Sequence, residues 1–268
     1  MTMSKLTPAT EPSKPIIVIK LGGSMIDHLT DAFYKSFHDL RLHFHIIVVH
    51  GGGPSITSML KRLNIKSEFH NGLRKTTKET MEVVKMSLAG TVNAQITSRL
   101  AEQHIYAIGL KGSDCNMLTA RFVDQNKLGF VGEVVKVELD FLYRCMEAGY
   151  IPVIAPLGKT QDGQTVNINA DLAASAIAKG VLAEKLLFVT DVPGILLQGD
   201  VVNETTPQEV QELINNGSIH GGMIPKVESA VYALSEHLQE VMIVSGKRAL
   251  MEANRMTGTI IRKEKGMC

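Results

Sequence analysis

From Pro15 onward, short apolar, β-branched runs alternate with longer stretches of helical spacing. This alternation allows little besides βαβ units around a mainly parallel sheet. The runs are Ile16–Lys20, Ile46–His50, Tyr106–Leu110, Pro152–Pro156, Lys185–Thr190 and Val241–Ser245. Most are apolar at successive rather than alternate positions, as in strands covered on both faces, so all six are read as central strands. Between them Val84, Leu88, Val92, Ile96 and Leu100 recur every four residues, close enough to the helical period to stripe one face of a helix near Thr77–Gln103. Helices are also expected at Pro54–Leu63, Leu139–Ala148, Ala170–Leu182, Pro207–Asn215 and Pro225–Leu238, the last starting on proline. Met117–Val137, with Gly129 and Gly132 among polar and β-branched residues, reads as a small antiparallel hairpin serving as a lid or edge. The expected fold is α/β, an αβα sandwich, without internal repeat or low-complexity linker. A soft division near Gly180 separates residues 15–180 from residues 181–268, and residues 1–14 read as a flexible N-terminal segment.

A chain of 268 residues, 44% hydrophobic, buries a full core without disulfides or metals. Its 28 Lys+Arg balance 27 Asp+Glu, and the terminal Arg262-Lys263-Glu264-Lys265 is the most basic stretch, so no electrostatic footprint for nucleic acid exists. Residues 1–14 lack the apolar core of a signal peptide, and no segment approaches eighteen consecutive apolar residues; a cytoplasmic protein without a membrane partner is expected. Cys115, Cys145 and Cys268 are odd in number, far apart and without ligand spacing, and are read as reduced and structural. His28, His38, His43, His45 and His70 also lack ligand spacing and receive no chemistry.

In a parallel α/β sheet ligands bind outside the carboxyl ends of the strands, so the loops after strands are where chemistry is sought. Lys20-Leu21-Gly22-Gly23-Ser24 places a lysine at a strand end and two glycines where backbone can approach an anion. The plainer reading is a tight turn beside a surface lysine. His50-Gly51-Gly52-Gly53-Pro54 lies between a strand and a helix, so its free N–H groups and the helix N-terminus converge on one spot. Three consecutive glycines cost chain entropy and rarely serve a mere turn. His50 itself reads as a packing or hydrogen-bonding residue rather than a catalyst.

In Asn167-Ile168-Asn169-Ala170-Asp171, Asn169 suits a helix cap and Asp171 the first turn, while Asn167 is needed for neither. In Gly221-Gly222-Met223-Ile224-Pro225-Lys226 the lysine falls in a first helical turn, where a cation is disfavoured unless an anion sits opposite. That misplacement points to phosphate, with a solvated helix lysine as the alternative. Asn71-Gly72-Leu73-Arg74 is either a turn with an exposed arginine or a guanidinium fork for a carboxylate. Asp191-Val192-Pro193-Gly194 reads equally as an ordinary turn. The chain has no G-x-x-x-x-G-K-[ST], G-x-G-x-x-G, H-R-D, D-F-G or G-x-S-x-G, which excludes P-loop enzymes, standard dinucleotide binders, protein kinases and nucleophile-elbow hydrolases. Two glycine-rich anion loops, two lysines and a carboxylate remain, a phosphoryl-transfer constellation of another type.

The blocks KLGGS, HGGGP, NGLR, SLAGTVN, GYIPVIAPLG, VNINADLAA, FVTDVPGIL and GGMIPK, in this order and at matching spacing, resemble the N-acetyl-L-glutamate kinases of the amino acid kinase superfamily. The resemblance covers Pro15 to Lys263. HGGGP and NGLR argue for these over carbamate, uridylate, aspartate or glutamate 5-kinases, and the carrier-protein-linked aminoadipate kinase of lysine synthesis is the nearest rival. The resemblance implies the amino acid kinase fold, with acyl-amino-acid binding in the N-terminal lobe and ATP binding in the C-terminal one. It implies that Lys20 and Lys226 stabilise the phosphoryl group in flight and that Asp171 holds both lysines. Gly52, Gly53, Arg74, Asn167 and Asn169 would bind N-acetyl-L-glutamate. Gly22, Gly23, Asp191, Val192, Pro193, Gly194, Ile195, Leu196, Ser218, Ile219 and His220 would bind the nucleotide.

The implied reaction transfers the γ-phosphoryl of ATP to the side-chain carboxylate, the second step of arginine synthesis, with Mg2+ bound mainly through ATP phosphates and no protein metal ligands. A carboxylate with a reference pKa of about 4.3 is ionised at neutral pH and requires no general base. Arginine-inhibited members resemble hexamers built through an N-terminal helix, but Met1–Lys14 contains Pro8 and Pro12, so a homodimer is expected. A non-catalytic nucleotide or amino-acid sensor of the same fold is the contrasting reading, opposed by the joint presence of Lys20, Asp171 and Lys226.

Overall fold

The computed structural model describes residues 12–253 and 255–263; most of the N-terminal segment, and Cys268, lie outside them. The strands of the two main sheets are, in chain order, β1 (Ile16–Leu21), β2 (His45–His50), β3 (Ala107–Lys111), β4 (Leu118–Phe122), β5 (Val131–Val137), β6 (Ile151–Ala155), β7 (Leu157–Lys159), β8 (Thr165–Ile168), β9 (Lys185–Thr190), β10 (Glu204–Thr205), β11 (Glu240–Ser245) and β12 (Thr259–Arg262). The larger helices are α1 (Asp31–His43), α2 (Gly53–Arg62), α3 (Lys78–Lys85), α4 (Asn93–Glu102), α5 (Asp140–Glu147), α6 (Ala170–Gly180), α7 (Pro207–Asn215) and α8 (Ile224–Ala233).

Eight strands form one sheet in the order β10-β12-β11-β9-β1-β2-β6-β3, parallel from β11 through β3, with β12 antiparallel to β11. Successive residues of β1 enter opposite layers. Ile16 and Val18 join the core beneath α5, α6 and α8, whereas Ile17, Ile19 and Leu21 join the core beneath α1 and α4. Both faces are therefore dry, and the αβα sandwich follows. Helix α1, which the spacing arguments above do not single out, packs Phe33, Tyr34, Phe37 and Leu40 and is capped by Thr30, whose hydroxyl accepts from the Phe33 N–H at 3.2 Å.

The four-residue apolar period of the long helix has a physical reading. Positions four apart drift around an α-helix, since four residues overshoot one turn. Between α3 and α4 the chain takes a wider π-turn over Met86–Val92, and the drift is absorbed, so Val84, Leu88, Val92, Ile96 and Leu100 are all buried.

Three expectations need correction. The Tyr106–Leu110 run is not central: β3 is the outer edge of the sheet, and Ala107, Ile108 and Gly109 are only partly covered or exposed, because no strand among the described residues pairs beyond it. Its two glycine and alanine positions blur the alternation that would mark an edge strand. The 117–137 segment does pair antiparallel as β4 and β5, but it closes with β7 and β8 into a four-stranded barrel instead of standing as a lid. The helix expected to reach Leu238 stops at Ala233, because Ser235 turns the chain, its hydroxyl accepting from the Leu238 N–H at 3.1 Å.

Candidate active site

The strands of residues 45–155 in this sheet lie on one side of β1 and those from residue 185 onward on the other, so the strand order reverses between β1 and β9. Ligands in open α/β sheets bind at such a reversal, outside the carboxyl ends of the strands. Lys20 stands there at the end of β1, its Nζ 2.7 Å from Asp171 Oδ1, with only 14% of its side chain exposed. Asp171 is presented by the first turn of α6, which Asn169 starts by accepting from the N–H groups of Asp171 at 2.8 Å and Leu172 at 3.2 Å. Asn169 therefore caps as expected, and it also lines the cavity below.

The two glycine loops meet back to back. A Cβ on Gly23 would lie 2.7 Å from the Gly52 nitrogen and 2.9 Å from that of Gly53, so this approach admits only glycine. The Gly51 N–H is spent on the Leu21 carbonyl at 2.9 Å, whereas those of Gly52 and Gly53, at the start of α2, make no hydrogen bond among the described residues. Two unused donors at a helix N-terminus are a ready anion site. Gly23→Ala is expected to push the two loops apart, backbone against backbone, and to lower turnover at least about tenfold with the fold retained; steady-state kinetics and circular dichroism check it.

His50, directly before this loop, is fully buried, and burial pulls its pKa from 6.5 down to about 4. As pH falls below about 6.5 the unfolded chain takes up a proton that native His50 refuses, so stability drops between pH 6.5 and 4. The loss approaches about 3 kcal/mol at the acid end. Urea midpoints should fall from pH 7 to pH 5, and less so in His50→Asn.

Beside the loops a cavity of about 700 Å³ is walled by Gly51–Gly53, Leu88, Val131, Asn167, Asn169 and Asp171 and overhung by the hairpin of Phe69–His70 and Leu73–Arg74. Asn71 and Gly72 turn this hairpin with φ of 49° and 75°. Arg74 is 8% exposed. Its guanidinium donates to Ser67 Oγ, to Thr57 Oγ1 at 2.8 Å and to the Gly53 carbonyl at 3.2 Å, and it lies 4.5 Å from the Phe69 ring centroid. Burial lowers its pKa, and no carboxylate pairs with it among the described residues. Asn167 donates to Thr76 Oγ1 at 3.2 Å, and Thr76 Oγ1 donates to the Arg74 carbonyl at 2.7 Å. Thr76, fully buried, thus ties Arg74 to Asn167; Thr57 and Thr76 escape sequence reasoning, since a lone threonine carries no motif.

Lys226 departs from expectation. It does not share Asp171 with Lys20; its Nζ lies 2.7 Å from Asp191 Oδ1, in the loop after β9. Asp191 is the anion opposite this misplaced helix lysine, and the Lys226 hydrogen bond holds its carboxyl below the usual range. Val192, Pro193, Gly194 and Leu196 continue this loop, while Ile195 is buried and donates its N–H to Thr259 Oγ1 at 2.8 Å. Ser218 and His220 are exposed before α8, and Ile219 between them is buried, so Ile195 and Ile219 have only backbone to offer a ligand. Gly22 lies two residues beyond Lys20, its would-be Cβ 3.3 Å from the Val189 carbonyl.

Residues 15–245 match the amino acid kinase family. The chain belongs to that family. This amino acid kinase is 51% identical over 252 residues to an acetylglutamate kinase of Geobacillus sp. (strain WCH70), covering 94% of this chain and 98% of the relative. It is 49% identical over 253 residues to the acetylglutamate kinase of Bacillus subtilis (strain 168), with coverage of 94% and 98%. Its fold superposes on that of smu.665 from Streptococcus mutans UA159 with a TM-score of 0.79 at 31% identity, covering 92% of this chain and 98% of the other. The carbamate kinase of Giardia, 15% identical with a TM-score of 0.67 over 94% of this chain and 100% of its own, shares the fold alone. No helix of this kinase, among the described residues, is long and apolar enough to cross a membrane.

Proposed function

We propose that this kinase transfers the γ-phosphoryl of ATP to the side-chain carboxylate of N-acetyl-L-glutamate, giving ADP and N-acetyl-L-glutamyl 5-phosphate. The observation that carries the reading is Arg74, a buried guanidinium that meets no carboxylate among the described residues, set in the wall of a cavity that also touches Asp171, the partner of Lys20. A buried charge calls for a counter-charge, and the α-carboxylate of an acyl amino acid supplies it. Gly52 and Gly53 offer their unused N–H groups to the substrate, Asn167 flanks its α-carboxylate end, and Asn169 closes the cavity at the α6 cap.

With Arg74 fixing one end of the substrate, the side-chain carboxylate is delivered toward Lys20. Nucleophile and γ-phosphoryl are both anionic, so the site must supply positive charge rather than a base. Lys20 and Lys226 are those charges, positioned by Asp171 and Asp191, and Gly22 and Gly23 approach the nucleotide phosphates. Mg2+ supplies further charge when it arrives with ATP. Asp171 and Asp191 are both engaged by lysines, which fits an ion held through ATP oxygens and water.

Residues 15–180 act as the acyl-amino-acid lobe and residues 181–268 as the ATP lobe, the nucleotide lying along 191–196 and 218–220. The protein works in the cytoplasm as a homodimer. Relatives near 50% identity favour this reading over the carrier-linked aminoadipate kinase or a non-catalytic sensor. ADP release with N-acetyl-L-glutamate, free L-glutamate, N-acetyl-aminoadipate and carbamate tests it. Turnover confined to the first supports the assignment, and equal turnover with the aminoadipate derivative, one methylene longer, contradicts it.

A further inference from the structure

The mechanism makes no use of His50, yet behind the Gly51–Gly53 loop, here called the acceptor loop, both of its ring nitrogens are hydrogen-bonded. Asn93, 5% exposed at the start of α4, donates from Nδ2 to the Val153 carbonyl at 2.8 Å and to His50 Nε2 at 3.1 Å, with the Leu110 carbonyl at 3.4 Å. A carbonyl only accepts, so Val153 fixes which end of the Asn93 amide faces His50. Nε2 must then be the acceptor, the ring proton sits on Nδ1, and Nδ1 donates to the Gly51 carbonyl at 2.9 Å. The Asn93 Oδ1 lies where a Cβ on Gly109 would come within 2.0 Å, so a side chain at that position of β3 would displace the Asn93 amide.

The π-turn explains how one helix reaches both parts of the loop. Leu88 and Val92 press on Gly52, where a Cβ would lie 2.5 Å and 3.2 Å from their methyl carbons. On a regular α-helix Leu88 and Asn93, five residues apart, would diverge by about 140°. The Asn93 N–H instead reaches the Leu88 carbonyl, an i→i+5 bond that brings five-residue neighbours onto one side.

We propose that Asn93 and His50 are positioning residues for the acceptor loop. Anchored on the π-turn, Asn93 holds His50 in its Nδ1–H form, and His50 holds the Gly51 carbonyl, leaving the Gly52 and Gly53 N–H groups directed at the substrate. The inference rests on the reading of Gly52 and Gly53 as substrate-binding, and its test separates the two. Asparagine at position 50 keeps a donor near the place of Nδ1 but loses the acceptor for Asn93. Glutamine keeps the acceptor but loses the donor to Gly51.

His50→Gln is expected to raise the KM for N-acetyl-L-glutamate about tenfold or more, and His50→Asn about threefold, with the KM for ATP within about twofold in both. Equal KM increases in the two variants, or a parallel rise for ATP, would overturn the proposal. Nitrogen-15 NMR of histidine-labelled wild-type protein gives an answer independent of variants and of substrate. The neutral Nδ1–H form is expected at pH 6–8, and an Nε2–H signature refutes the pair. If the wild type fails to turn over N-acetyl-L-glutamate, the substrate reading falls while the tautomer still decides this one.

Discussion

Replacing Lys20 by alanine is expected to lower turnover by about 10²–10³ while the Kd for ATP moves by no more than a few-fold. On the proposed reading, glycine-loop backbone and the loops around Asp191 and His220 hold ATP in the ground state. On the same reading the Lys20 charge acts chiefly when the anionic carboxylate meets the anionic γ-phosphoryl, so its loss lowers kcat rather than binding. With 14% of its side chain exposed, Lys20 acts in a partly dry site where its charge is weakly screened. Lys226→Ala should show the same pattern with a smaller loss, since its side chain is 36% exposed. Pre-steady-state kinetics and isothermal titration with ATP separate the terms, and near-normal turnover in Lys20→Ala would refute its role.

The second large effect belongs to Arg74. Arg74→Ala is expected to raise the KM for N-acetyl-L-glutamate by about 10² or more with little change for ATP, because truncating one side of a buried charge pair costs about 2–5 kcal/mol. Lysine should not rescue. The guanidinium serves Ser67, Thr57 and the Gly53 carbonyl at once, and a point charge cannot reproduce that fork while still meeting a carboxylate. A KM restored in Arg74→Lys would mean that the site needs only charge there. Loss of ATP binding instead would place Arg74 on the wrong substrate.

What was legible in the sequence is what the backbone chemistry dictates. The glycine loops announce close approach of main chain, and Gly23 meets Gly52 and Gly53 within reach of no side chain larger than hydrogen. The apolar runs announce strands, and the six lie within a residue or two of where the pattern puts them, five of them buried and β3 a partly covered edge. Partners across the fold were not legible. Nothing near Lys226 in the chain says that its anion is Asp191 rather than Asp171, because the pairing depends on how α8 sits over the loop after β9. Thr76, which joins Arg74 to Asn167, depends likewise on the hairpin meeting the barrel. The four-residue apolar period was visible but reads as a slightly irregular α-helix until the π-turn at Met86–Val92 accounts for it.

The central claim is that a carboxylate, not water, accepts the phosphoryl group. Hydroxylamine trapping during turnover with MgATP and N-acetyl-L-glutamate tests it most directly, with hydroxamate and ADP quantified together. The account predicts hydroxamate formed one for one with ADP, and none when N-acetyl-L-glutamate is omitted. ADP release without hydroxamate would contradict it.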